Sequence, residues 1–276
     1  MKYIFIGNRK FVLDKMEKLN CEITKIFAVK DSYLEKYLIE NKREYEIITS
    51  KKELIEKIKK LDFDCLVSNG CPYILPISQI KKENQKFINI HPSLLPDLKG
   101  KHPINGALLF NRKHGVTCHF MDDGIDTGNI IEQIEIPITD DINLDLLYQI
   151  SFRMEGEVFE KALKNNFKKI DYSLYYSRKA GENFLKKEDS LETIYRKIRA
   201  FGTKGMFAIY KNSEKEYHCI SAKIIENISL NILFGKHKNN KIILKYGNFI
   251  LVKLENKYLE ILLEEENTIS LEKDFL

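Results

Sequence analysis

The chain is predicted to be an α/β protein, a Rossmann-like, mostly parallel sheet flanked by helices, followed by a small, mainly antiparallel β module. Three observations carry this expectation. Over the first 90 residues short apolar runs alternate with stretches of helical spacing. Glycines and prolines gather in the loops that follow two of those runs. Beyond Gly205 the runs are of β type and several are divided by polar connections. Continuous apolar strands separated by helices are the mark of βα units around a buried parallel sheet.

Taken in order, Lys2–Gly7 is a strand ending in glycine, and Lys10–Leu19 follows with Phe11, Met16 and Leu19 at helical spacing. Glu22–Val29 reads as a second strand and Tyr33–Ile39 as a helix. Glu46–Thr49 is a short strand before the amphipathic stretch Lys52–Leu61. Asp64–Ser68 and Lys86–Ile90 are further strands. Ligands of such sheets sit in the loops at the carboxyl ends of the strands. Two of those loops, Asn69–Pro76 and His91–Pro103, hold five of the six prolines together with Gly70 and Gly100. Proline fixes φ and glycine permits close approach, so both loops are built to hold a shape. The first turn, Gly7-Asn8-Arg9-Lys10, has no GxGxxG run, and no NAD is inferred.

Asn105–Asn111 is expected to be helical, Gly115–Met121 and Asn129–Ile138 to be strands, and Asn143–Phe167 to be a long packing helix. A boundary is placed around Ile170–Asn183, giving an N-terminal α/β domain over 1–180 and a helix plus small β-rich domain over 181–276. Ser190 is a fitting N-cap for a helix through Arg199. The β-type runs after it are Met206–Tyr210, Tyr217–Ile225, Leu230–Phe234, Lys241–Tyr246, Phe249–Leu254 and Tyr258–Leu263.

Composition narrows the function classes. Of 276 residues, 43% are hydrophobic and 31% charged, an ordinary globular mixture. The apolar runs are far short of the about 20 residues that span a bilayer. The N-terminal stretch lacks a cleavage-site pattern and reads as a strand, so a cytoplasmic protein without membrane attachment is expected. Five cysteines, scattered and never in a CxxC pair, are the pattern of reduced structural thiols. The six histidines are not at metal-ligand spacing, and no metal is expected. Net charge is +5, and after Ser190 there are 14 Lys/Arg against 11 Asp/Glu. Nucleic-acid binders concentrate basic residues in a stripe, and this chain interleaves them with acids.

The chemistry-bearing residues lie in two blocks. Asn89 and His91 are two apart on a strand and so project from the same side at its carboxyl end. An amide beside an imidazole suits acyl transfer: the amide donates to a carbonyl oxygen gaining charge, and the imidazole handles a proton near neutral pH. About 30 residues on, Met121–Ile131 joins two strands by a loop with three aspartates and two glycines, without the calcium-loop spacing.

Asn89-Ile90-His91-Pro92-Ser93-Leu94-Leu95-Pro96, then Gly115-Val116-Thr117, then Asp122-Asp123-Gly124-Ile125-Asp126-Thr127-Gly128 resemble, in that order and at that distance, the folate-dependent formyltransferases. The family includes the glycinamide ribonucleotide enzyme, methionyl-tRNA formyltransferase and the nucleotide-sugar N-formyltransferases. The match is close over roughly residues 60–140. The resemblance implies the formyltransferase fold, with Asn89, His91 and Asp126 as catalytic residues and N10-formyltetrahydrofolate as formyl donor. It implies a pterin pocket lined by the backbone of Gly70, Cys71, Tyr73, Ile74 and Leu75 and closed by Asp122, Gly124 and Ile125. Ser93–Pro96 resembles the turn that orients His91.

Where the family often has an Arg-Gly pair before a proline, this chain has Lys99-Gly100-Lys101-His102-Pro103. Lysine is a point charge where arginine is a fork, and Lys99, Lys101 and His102 are the candidate contacts to a substrate phosphate. The extra β module argues against the glycinamide ribonucleotide enzyme, and the mild charge against tRNA. The resemblance therefore implies an acceptor amine on a dTDP-, UDP- or GDP-linked amino-deoxysugar, used in surface polysaccharide or lipopolysaccharide biosynthesis. The alternatives are methionyl-tRNA formyltransferase, a catalytically inactive folate-binding module, and simple hydrolysis of the formyl donor. Exposed edges of a small β module also make a homodimer an expectation.

Overall fold

The computed structural model describes residues 1–164, 174–212, 215–265, 269–271 and 273–276. The end of the expected helix toward Phe167 and the start of the expected boundary at Ile170 lie outside them. The chain falls into two compact units. One comprises Met1–Pro103, Lys113–Ile138 and Tyr148–Tyr176, and the other Ile104–Arg112, Thr139–Leu147 and Ser177–Leu276.

Alternation of apolar strands and amphipathic helices builds the first unit. Its strands are β1 (Lys2–Gly7), β2 (Glu22–Val29), β3 (Glu46–Ile48), β4 (Cys65–Asn69), β5 (Lys86–His91), β6 (His114–Phe120) and β7 (Ile130–Ile136). They form one sheet in the order β3-β2-β1-β4-β5-β6-β7. The pairs from β3 to β5 are parallel, and β5–β6 and β6–β7 are antiparallel. The mostly parallel, helix-flanked sheet is the one the sequence predicts. Between the strands run α1 (Phe11–Lys18), α2 (Tyr33–Glu40), α3 (Lys51–Lys60) and α4 (Ile77–Ile80), and after β7 comes α6 (Leu144–Ala162). Helices α2 and α3 each open on serine: Ser32 accepts from the Glu35 amide at 3.1 Å and Ser50 from the Glu53 amide at 3.2 Å, satisfying donors that a helix start leaves unpaired. One side of the sheet is sealed by Ile4, Ile6, Phe27, Leu54, Ile58 and Phe87. The short α4 has no counterpart among the elements expected from the sequence.

The second unit holds α5 (Pro103–Leu109), α7 (Leu191–Phe201) and a five-stranded antiparallel sheet. Its strands are β8 (Ala208–Lys211), β9 (Glu216–Ile225), β10 (Lys241–Tyr246), β11 (Phe249–Leu254) and β12 (Lys257–Leu263), in the order β10-β11-β12-β9-β8. Ser190 caps α7, accepting from the Thr193 amide at 3.2 Å.

One expectation fails here. Leu230–Phe234, expected as a β-type run, lies in the helix α8 (Ile228–Phe234). Asn227 accepts from the Ser229 amide at 2.8 Å and starts the turn. Leu230 and Phe234, four apart and so on one helical face, pack on Ile243, Leu251 and Tyr258. Tertiary packing of an i, i+4 pair and a local cap outweigh the strand preference of the isoleucines.

Candidate active site

Strand register brings the polar residues together. On β5, Asn89 and His91 point to the same side of the sheet, and the antiparallel pairing with β6 sets Asn89 opposite His119 and His91 opposite Thr117. The loop between β6 and β7 returns Asp126 to this edge. Asp126 adopts φ +53°, a left-handed conformation that aspartate tolerates better than most residues. The loop is folded on itself by Asp122, whose Oδ1 accepts from the Gly124 amide at 3.0 Å and the Thr127 hydroxyl at 2.6 Å.

Four side chains meet as a result. The Asn89 amide nitrogen donates to His119 Nε2 at 3.1 Å and lies 3.4 Å from Asp126 Oδ1. His91 Nδ1 lies 3.4 Å from Asp126 Oδ2, and His119 Nε2 lies 3.6 Å from Oδ1. The Gly100 amide donates to Asp126 Oδ2 at 2.9 Å. Gly100 needs to be glycine, with φ +92° and a Cβ position 2.5 Å from the Tyr175 ring.

Hydrogen-bond partners assign the tautomers. A carbonyl only accepts, so the 3.0 Å contact to the Leu98 oxygen makes Nε2 the protonated nitrogen of His91. His119 Nδ1 donates to the Phe120 oxygen at 2.7 Å, leaving Nε2 of a neutral ring to accept from Asn89. Burial pushes the proton affinity of His91 below its ordinary value, and the Asp126 charge and Leu98 carbonyl restore only part of it. Burial alone would raise Asp126, but the charge that His91 takes up in acid, with His119 beside it and the Gly100 amide, outweighs burial and holds the carboxyl well below the usual range. Near pH 7 the site thus holds a carboxylate beside a neutral imidazole whose open Nδ1 faces it. A proton accepted at Nδ1 would be stabilised by the carboxylate already in place.

The turn after His91 is clamped from β6 and β7. The Thr117 hydroxyl donates to the Ser93 oxygen at 2.6 Å and accepts from the Leu95 amide at 3.1 Å. Gln133 Nε2 donates to the Leu95 oxygen at 2.7 Å and to Thr117 Oγ1 at 2.9 Å. This clamp fixes the turn leading to Leu98 and Gly100, which hold His91 and Asp126.

The Asp122–Asp126 loop is tied to α4, which directly follows the other loop assigned to a pterin pocket, since Asp123 Oδ1 accepts from the Ser78 amide at 2.9 Å. Gly70 sits at φ +84°, Ile74 is 50% exposed and Ile125 37% exposed. Two exposed aliphatic side chains on neighbouring loops, with the backbone of a glycine turn between strand and helix, fit a flat heteroaromatic ring that needs apolar faces and edge hydrogen bonds. Tyr73 and Cys71 are half-buried against the core, and Cys71 Sγ donates to the Tyr73 oxygen at 3.5 Å. Burial pushes the Cys71 thiol up to about 11, so it is not a nucleophile near neutral pH. Leu75 is buried in the core, which leaves its backbone alone for a ligand. The Lys99 backbone is tied to Leu174 and Tyr176 at 2.9 and 2.7 Å, and Lys101 and His102 are exposed.

Sequence reasoning missed His119 as a member of this cluster. Its alternation with Thr117 on β6 was visible, but its pairing with Asn89 needs the β5–β6 register. Among the described residues no group of three or more His, Cys, Asp or Glu is placed to hold a metal. Nor is any described helix long and apolar enough to cross a membrane.

Comparison with known proteins adds four findings. The family described as Formyl transferase matches residues 21–163. WlaRD, a sugar 3N-formyl transferase solved in the presence of dTDP and 5-N-formyl-THF, superposes with TM-score 0.74 at 22% identity, over 97% of this chain and 99% of that one. The N-formyltransferase of Helicobacter canadensis, in complex with folinic acid and dTDP-3-aminofucose, gives 0.73 at 19% identity, over 95% and 99%. Methionyl-tRNA formyltransferase of Clostridioides difficile (strain 630) is 29% identical over 181 residues, 59% of this chain. The chain spans 59% of that curated relative's length.

Proposed function

Because this chain belongs to the formyl transferase family, we propose that it moves a formyl group from N10-formyltetrahydrofolate to the amine of a nucleotide-linked amino-deoxysugar. The observation that carries the reading is the convergence of Asn89 and His91 on Asp126, each 3.4 Å from one of its oxygens.

The folate supplies the formyl carbon when bound. The Asn89 amide is the donor for the formyl oxygen as negative charge develops there. The hydrogen directed at His119 makes the shorter contact and the one directed at Asp126, at 3.4 Å, the weaker, so the second hydrogen is the one a formyl oxygen can claim. As the amine nitrogen bonds to the formyl carbon, His91 Nδ1 takes its proton and Asp126 stabilises the imidazolium. The same proton is then delivered, directly or through water, to N10 as the bond from the formyl carbon to N10 breaks and tetrahydrofolate leaves. Exclusion of bulk water strengthens each of these interactions. Lys99, Lys101 and His102 supply positive character for the phosphates of the acceptor.

The extent of the structural likeness supports the sugar acceptor. The two sugar-modifying neighbours extend over nearly the whole chain, five-stranded module included. By sequence, methionyl-tRNA enzymes align with 59% of it in one case and 76% in another. Those relatives' own acceptor, Met-tRNA, is the second reading. The test is folate-dependent formylation of dTDP-, UDP- and GDP-linked amino-deoxysugars, with Met-tRNA in parallel, followed by mass spectrometry. A gain of one formyl group on a nucleotide sugar, lost in Asn89→Ala and Asp126→Ala, is expected. Formylation of Met-tRNA alone would establish the second reading. Folate binding without any transfer would leave only a binding module.

A further inference from the structure

Outside the Asn89–His91–Asp126 cluster the first unit buries a second ionic group. Glu155 on α6 has no exposed surface and takes both of its oxygens to one guanidinium. Arg9 Nε donates to Oε2 and Nη2 to Oε1, each at 2.8 Å. The Arg9 guanidinium also lies over the Phe152 ring, 4.7 Å from its centroid, one turn earlier on the same helix. Burial raises the proton affinity of Glu155 above the ordinary carboxyl range, and the charge and hydrogen bonds of Arg9 oppose it. The fork-to-fork geometry is that of an ionised pair. Such a pair is costly to bury and gives little net stability against an apolar replacement. Its place in the sheet says what else it does.

Arg9 follows β1 by two residues, and Gly70 follows β4 by one. These strands are neighbours, with Gly7 opposite Asn69. The Asn8 amide donates to the Asn69 oxygen at 3.1 Å. Arg9 Nη1 donates to the Asn8 side-chain oxygen at 3.0 Å, turning that side chain over Gly70. A Cβ at Gly70 would stand 2.0 Å from Asn8 Oδ1 and 2.8 Å from Arg9 Nη1. The Asn69 amide lies beside the Glu155 carboxylate, outside hydrogen-bonding geometry, and favours its charged form. One carboxylate on α6 therefore bears on both sides of the Gly70 turn, through Arg9 and Asn8 from β1 and through Asn69 from β4.

We infer that Glu155 is a positioning residue for the formyl-donor loop: by gripping Arg9 at two points it sets Asn8 against Gly70 and so fixes the path of residues 70–76. This rests on the reading of that loop as the folate side of the site. Neither Glu155 nor Arg9 touches the reacting atoms. Their effect is on how well the loop is formed before the folate arrives, and preorganisation of that kind appears in ligand affinity.

The experiment measures dissociation constants for folinic acid and, separately, for dTDP on the full chain, in the native protein, Glu155→Gln and Arg9→Lys. Both substitutions keep side-chain volume and some hydrogen bonding while breaking the two-point ionic grip. The folinic-acid constant is expected to rise roughly tenfold in each, with dTDP binding within about twofold of native. Arg9→Lys leaves the buried carboxylate a charged partner and serves if Glu155→Gln does not fold. Gly70→Ala, which drives a Cβ into Asn8 at a positive φ, should raise the folinic-acid constant in the same selective way. Unchanged folinic-acid binding in folded variants would overturn the inference and leave the function untouched. So would equal weakening of both ligands, which is what a merely structural pair produces. A native chain that binds no folinic acid would overturn the functional reading and this inference with it.

Discussion

Both units bury polar groups, and they do so to opposite ends. In the second unit the buried cations are lysines turned onto backbone oxygens. Lys253 donates to the Gly235 and His237 carbonyls at 2.6 and 2.8 Å, and Lys197 to the Phe184 carbonyl at 3.0 Å and to Asp189 at 2.5 Å. Each of these lysines makes two short hydrogen bonds to groups in loops or at a helix end, so they hold chain to chain. At the carboxyl edge of the first unit the contacts are longer and less complete. Asp126 stands 3.4 Å from both Asn89 and His91, and the open nitrogen of His91 faces a carboxylate instead of a donor. A group that is fully satisfied stabilises a fold. A group left partly unsatisfied by a well-made framework is available to a substrate.

The largest expected effect breaks the comparison on the reactive side. Asn89→Ala and Asp126→Ala should each lower kcat/KM by about 10²–10³, equivalent to about 3–4 kcal/mol of transition-state stabilisation. Their melting temperatures should stay close to native. Turnover that survives Asn89→Ala would remove the amide from the chemistry.

Next in size is a pH effect on stability. His114, buried at the start of β6, bonds Ser151 through Nε2 at 2.7 Å while its Nδ1 has no hydrogen-bond partner among the described residues. Burial lowers its pKa from 6.5 to about 4, with a smaller contribution from the charge of His91. A folded value below the unfolded one means that the unfolded chain takes up the proton first. The stability contribution is complete above pH 6.5 and is lost as pH falls from there toward 4. The loss is at most roughly 3–4 kcal/mol, since each tenfold difference in proton affinity between the folded and unfolded chain is worth about 1.4 kcal/mol. Urea unfolding at pH 7, 5.5 and 4.5 should show it, and His114→Gln should flatten the dependence. A slope that persists in the variant would assign it to His91 or to other groups.

On the structural side, Lys253→Met should reduce stability by about 2 kcal/mol, because the Gly235 and His237 carbonyls lose a charged donor. Formyl transfer should be unchanged once the protein is folded. Loss of turnover in a folded Lys253→Met protein would show that the second unit's polar groups also serve the chemistry and would erase the distinction drawn above.

The same distinction explains how much was legible beforehand. Strands β1 to β5 were readable because a buried parallel strand is apolar along its length. Asn89 and His91 were readable because a two-residue spacing on such a strand fixes a common side. What the sequence could not reveal is register. His119 meets Asn89 only because β6 runs antiparallel to β5, and Gly100 meets Asp126 only because two loops are folded back, 26 residues apart. The Arg9–Glu155 grip joins positions 146 residues apart, with no local pattern to announce it. The short α4 and α8 fell below the length at which helical period can be told from a strand.

The smallest effect addresses α8 directly, because a helix and a strand predict opposite signs at one exposed position. Ile232 is 78% exposed and lies between Leu230 and Phe234, the two residues docked on the sheet. In a strand, replacing an isoleucine by alanine gives up β-branching that favours the extended backbone. On the free face of a helix the same change removes a side chain whose rotamers are restricted by the preceding turn, and helix propensity improves by roughly 0.4 kcal/mol. Ile232→Ala should therefore stabilise the protein slightly, in chemical denaturation at constant m-value, and leave turnover alone. Phe234→Ala is the control: it empties the docked face and must destabilise by several times as much, in line with the cost of truncating packed aromatics. If Ile232→Ala destabilises the chain instead, its side chain is in contact with something. The outer face of α8 would then count with the surfaces that hold chain to chain.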